Sequence, residues 1–166
     1  MKERELRRQC RRLLRELDIR PPLDVRLLCE RLAAHRGRPI HLMDYPLPVP
    51  GEFGVWLASD AADYILYQRE TTKPHQDHII LHEVGHIVAG HTSDEDDDEL
   101  LQRIYPDIDP EVVRRALLRR THYDAAQERE AETVATIILE WASVLNYVTP
   151  AGTGLGAALN GRRGWL

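Results

Sequence analysis

Residues 78–91 read HIILHEVGHIVAGH. Just upstream, Thr72 followed by Lys73-Pro74 makes a helix start, because a threonine oxygen can cap the first free amides and proline suits the first turn. The pattern from His75 to Val88 then stays helical until Gly90. Helical residues advance by about 100° each, so His82 and His86 stand roughly 40° apart on one face and both imidazoles can reach one ion at about 2.0–2.1 Å. Glu83 lies beside His82, close enough to touch a metal-bound water without being a ligand. Hydrolysis needs that combination: a Lewis acid that lowers the pKa of water and a carboxylate that takes its proton.

Catalytic zinc keeps three protein ligands and one open position, so a third ligand is required. The metzincin pattern would place glycine three residues after His86 and histidine three beyond that; Ala89 and Thr92 stand there, which excludes it. On a continuing helix His91 falls about 140° from His86 and faces away from the metal, unless the helix breaks at Gly90. A better source is QEREAETVA, residues 127–135, which sets Glu128 and Glu132 four apart on one helical face. One can bind zinc while the other accepts a hydrogen bond from the outer nitrogen of a ligand histidine and fixes its tautomer. Ala131 and Ala135 are small enough for this helix to approach the first closely, and Glu130, about 200° from Glu128, is expected to face solvent. His75 and His78 are expected at the helix surface or cap. His122 and Tyr123 precede the second helix, where a donor could stabilise the oxyanion of a tetrahedral intermediate; the plainer role is a loop residue packing its ring.

Residues 3–17 place Leu6, Cys10, Leu13, Leu14 and Leu17 at helical spacing with arginines opposite, an amphipathic N-terminal helix within residues 1–18. Asp24 caps a second helix that Gly37 stops. From Ile40 to Gln68 the segments HLM, FGVWL and DYILYQ are short, rich in β-branched and aromatic residues and separated by turns, which predicts a small antiparallel sheet. Further helices are expected near Asp109-Pro110-Glu111 and from about Asp124 to Leu145. Two helices, a small sheet and then more helices make an α+β chain.

With 166 residues, the chain suits one domain, expected over residues 1–150, with a flexible glycine-rich tail over 151–166. No apolar run approaches the roughly 18 residues of a membrane span, and MKERELRRQCRR is too charged for a signal peptide. Cys10 and Cys29 have no zinc-finger spacing and are expected as reduced core thiols, so the expected location is cytoplasmic. Residues 1–20 carry eight Lys/Arg against four Asp/Glu, whereas residues 94–99 read DEDDDE and the net charge is -5. The arginine face lacks interleaved aromatics, so direct nucleic-acid binding is not expected. The acidic run lacks the spaced ligands of a calcium loop and is expected to be solvated.

HEVGHIVAGH followed by E-R-E-A-E-x-x-A resembles the ImmA/IrrE metallopeptidase family, whose pattern is H-E-x-G-H-x-x-x-x-H and then E-x-x-A-[N/D]-x-F-A. The resemblance spans roughly residues 20–145. It implies a compact gluzincin-like zinc peptidase, bacterial or phage-borne, in which His82, His86 and Glu128 bind one zinc ion, Glu83 is the general base, and Glu132 stands where the family has Asn or Asp. It also implies a protein substrate of the DNA-binding, helix-turn-helix repressor type, whose cleavage or inactivation relieves repression. The alternative is a regulatory protein in which zinc is structural and control is exerted by gripping the repressor.

Overall fold

Helix termini are set by local chemistry, and in the computed structural model the caps fall where the sequence places them. The structure describes residues 3–46, 54–58, 61–91 and 123–148. Helix α1 (Glu3–Glu16) turns Leu6, Cys10 and Leu14 inward. Helix α2 (Val25–Arg36) begins at Asp24, whose carboxylate accepts the Leu27 amide, and ends at Gly37 in the left-handed region at φ 65°. Helix α3 (Lys73–Val88) starts at Thr72, whose side chain accepts the His75 amide. Helix α4 spans Ala125–Val148. The expected helix near residues 109–111, the acidic run 94–99 and the tail 151–166 lie outside the described residues. Among the described residues no helix is long and apolar enough to cross a membrane.

Between α2 and α3 stand β1 (Ile40–Tyr45), β2 (Gly54–Ala58) and β3 (Asp63–Gln68), in the order β1-β3-β2. The fold is α+β, but the sheet is mixed and not antiparallel as the strand spacing suggested. β3 runs parallel to β1, with Ile40 opposite Asp63, and antiparallel to β2, with Gly54 opposite Tyr67. The antiparallel expectation rests on neighbours in sequence pairing with one another. Here β3 is the most deeply buried strand, with Ile65 and Leu66 fully inside, and a strand covered on both faces takes the centre, with partners on both edges.

Asp63, at the start of β3, is fully buried and held by Arg36 at 2.6 Å, Arg38 at 3.0 Å and the Trp56 indole at 3.0 Å. A buried carboxylate is tolerated only when its charge and lone pairs are met, and these donors tie the sheet to the end of α2. One apolar core joins α1, α2, β3, α3 and α4, through Leu14, Leu28, Ile65, Leu81 and Val134 among others. α3 packs more extensively on α4 than on any other element. The reason is Gly85: a Cβ built there would fall on the Ala131 backbone, so the two helices touch main chain to side-chain-less main chain.

Helix propensity alone predicts that Gly85→Ala stabilises α3 by about 1 kcal/mol. Overpacking reverses the sign, and we expect a net loss of about 1–3 kcal/mol; a urea midpoint equal to or above that of the parent protein would contradict the close contact. Burial also pushes the Cys29 thiol up to about 12 and the Cys10 thiol up to about 11. Unfolded thiols ionise near pH 8.5, so this stability is fully present below that pH and declines as pH rises toward the folded values. At pH 8 a thiol reagent should label both cysteines only as fast as the chain unfolds; immediate labelling of the folded protein would contradict their burial.

Candidate metal centre

Gly85 fixes which faces meet. With Gly85 on Ala131, the next face of α3 carries His82 and His86 beside Glu128 of α4. His82 Nε2 lies 3.1 Å from Glu128 Oε2, and His86 Nε2 lies 3.5 Å from Glu128 Oε1. One ligand atom from each of the three residues falls within 4.8 Å of the other two. His86 is fully buried and His82 mostly so, while Glu128 is partly exposed. Tetrahedral ligation at about 2.0–2.1 Å sets ligand atoms roughly 3.3–3.4 Å apart, so the two histidine-carboxylate distances match that edge.

The outer nitrogens assign the protons. Glu132 Oε2 accepts from His82 Nδ1–H at 3.0 Å, and its other oxygen accepts from His78 Nε2–H at 2.9 Å. A neutral His82 that donates from Nδ1 keeps a lone pair on Nε2, and that lone pair faces Glu128. Burial pushes the Glu132 carboxyl up, but the hydrogen bonds from His82 and His78 outweigh it and hold the group below its ordinary value. Glu128 Oε1 is buried and has no hydrogen-bond partner among the described residues. With His82 in that tautomer, two imidazole nitrogens and a carboxylate turn toward one point, a donor set whose chemistry fits a cation.

Glu83 is 1% exposed. Its face of α3, shared with Ile79, packs on β2: a Cβ at Gly54 would lie 2.5 Å from the Ile79 side chain and 3.1 Å from Glu83 Oε1. The carboxylate thus sits between the histidine face and the sheet, in a place that only a residue without a side chain leaves open. Tyr123 stacks flat on His86, with ring centroids 4.2 Å apart and planes at 20°, so the residue packs its ring against the cluster. His122 lies outside the described residues. His75 bonds Thr71 Oγ1 at 2.7 Å and is not in the three-residue group.

Of the two positions open to His91, the structure shows the one that a helix break produces: the backbone turns at Gly90, at φ 73°, and His91 Nδ1 comes to 2.9 Å from His86 Nδ1. Glu130 does not face solvent alone: its Oε2 lies 2.9 Å from His91 Nε2, and that hydrogen bond holds its carboxyl below the ordinary value. The angle of about 200° from Glu128 does not decide which way Glu130 faces. Measured from Ala131, the residue in contact, Glu130 is about 100° to one side and Glu132 about 100° to the other, so the two carboxylates straddle α3. The signal for His91 was Gly90 itself, as a left-handed helix terminus; nothing in the sequence marked Gly54.

Compared with family models, with curated proteins and with solved structures, the chain matches none.

Proposed function

We propose that the chain is a zinc-dependent endopeptidase of gluzincin-like architecture, with His82, His86 and Glu128 holding one zinc ion. The observation that carries this reading is the convergence of two imidazoles and a carboxylate, whose Oε1 has no hydrogen-bond partner among the described residues, beside a buried glutamate. The resemblance to the ImmA/IrrE family adds the substrate class: a regulatory protein such as a DNA-binding repressor. Bound zinc would supply Lewis acidity toward water and the scissile carbonyl.

The remaining work falls to the chain. Glu83 takes the proton of the attacking water and passes it to the leaving amine. Glu132 keeps His82 in the tautomer that can ligate, and partners of this kind typically account for 10- to 100-fold in metal affinity. β2 is an edge strand of the described sheet, and its Gly54 touches Glu83, so a peptide added to that edge as an extended strand would pass the base. A folded partner would be selected by docking, since opposed charges such as the arginine face of α1 steer encounter more than they hold.

Metal analysis of the purified protein should give one zinc per chain, and His82→Ala, His86→Ala and Glu128→Ala should each abolish that stoichiometry. A parent protein that takes up no zinc when it is added would sink the reading. Glu83→Gln should keep the zinc and lose cleavage of a helix-turn-helix repressor substrate by orders of magnitude; unchanged action on the repressor would make the protein a binder and not an enzyme. Glu132→Ala should weaken zinc binding about 10- to 100-fold in competition with a chromophoric chelator, and unaltered affinity would remove Glu132 from the centre.

A further inference from the structure

The end of α3 is built to return a side chain to its own last turn. His91 N–H donates to His86 O at 3.0 Å and Gly90 N–H donates to Ile87 O at 3.1 Å, the two crossed bonds of a Schellman terminus with the left-handed residue at Gly90. That motif folds the residue after the glycine back over the residue five before it, and an apolar contact usually seals the pair. Here the pair is His91 over His86. Both are buried, His91 at 6% exposed and His86 at 0%, and they meet nitrogen to nitrogen at 2.9 Å.

Two nitrogens at that distance share one proton, and the far end of the chain of contacts decides which owns it. Glu130 Oε2, 2.9 Å from His91 Nε2, is a carboxylate and can only accept, so His91 Nε2 carries its proton. A neutral His91 then offers only a lone pair at Nδ1. The shared proton belongs to His86 Nδ1, and the His86 lone pair is left on Nε2, 3.5 Å from Glu128 Oε1.

We propose that His91, oriented by Glu130, is a positioning residue that fixes the tautomer and ring orientation of His86, as Glu132 does for His82. The two histidines of one helix are thus set from opposite flanks of α4: His82 directly by Glu132, and His86 through an intervening imidazole. The assignment of His86 as a zinc ligand rests on the proposed function; the proton assignment does not.

The test uses metal-free protein labelled with 15N-histidine, in which long-range proton-nitrogen correlation spectra at neutral pH show which ring nitrogen carries hydrogen. His86 should be protonated at Nδ1 in the parent chain. His91→Phe keeps a buried ring and removes the acceptor. Glu130→Gln, at a partly exposed position, can donate to His91 as well as accept from it, and so no longer enforces one tautomer. Each should move the His86 proton to Nε2, wholly or in part, and leave His82 unchanged, while Glu132→Gln should do the converse. Zinc competition should show a loss of about 10- to 100-fold for His91→Phe and Glu130→Gln.

An Nε2-protonated His86 in the parent chain, or an unchanged His86 spectrum in His91→Phe, would overturn the proposal. Should His91→Phe fail to fold, the tautomer of His86 in the parent chain decides alone. The two readings fail separately: a parent chain that shows the expected tautomer but takes up no zinc defeats the metallopeptidase reading and leaves the positioning role intact. Zinc bound with unchanged affinity and tautomer in the variants does the reverse.

Discussion

How closely α3 can approach α4 governs the rest of the site. Both helices present main chain at the contact, Gly85 on one and Ala131 on the other. A main-chain contact of this kind leaves no room for side chains between the helices, so the groups flanking it on each helix face one another across the seam. The approach brings the His82 and His86 nitrogens to 3.1 and 3.5 Å from Glu128. It is sustained by apolar burial on the same two helices, Leu81 and Val84 on one and Val134 and Ala135 on the other.

That close contact has an electrostatic cost. Carboxylates on α4 at positions 128, 130 and 132 all turn toward histidines of α3 or of its end. The histidine side of these contacts is the drier one, with His86 and His91 buried, and a polar group left unmet there is expensive. Glu130 and Glu132 are answered by imidazole N–H groups. Glu128 is answered by two nitrogens whose protons are committed on their outer sides, so the network is complete on its flanks and open at its centre. In the proposed reading a cation fills that centre, and the fixed tautomers of the flanking imidazoles keep a lone pair turned toward it.

What the sequence made legible follows the range of the forces involved. Helix ends at Asp24, Gly37 and Thr72 depend on side chains within a few residues, and so they could be read locally. The spacing of His82, His86, Glu128 and Glu132 needs only the helical period once both helices are assumed. Sheet topology does not work that way: which of β1 and β2 flanks which edge of β3 is settled by burial across the chain, and the local pattern that suggests strands is silent about their neighbours. The place of His91 turns on one residue, Gly90, where the backbone leaves the helix; the helical wheel holds only up to that point. Glu130 was misplaced because its angle was referred to a ligand and not to Ala131, the residue that touches α3.

The sheet completes the geometry from a distance. Glu83 is wedged between its own helix and β2, and the space exists because position 54 carries no side chain. β2 pairs with β3, its partner among the described strands, and the start of β3 is pinned by the pairing of buried Asp63 with Arg36 and Arg38. A loss on one side of such a buried pair is costly, about 3–5 kcal/mol, so this end of the sheet has little freedom to slide. The position of the carboxylate next to the histidines is therefore set by a chain of contacts running from the end of α2 through β3 to the backbone of β2. The histidine-glutamate spacing on α3 provides the chemical groups, and the buried aspartate at the far end of the sheet helps to hold the wall against which one of them rests.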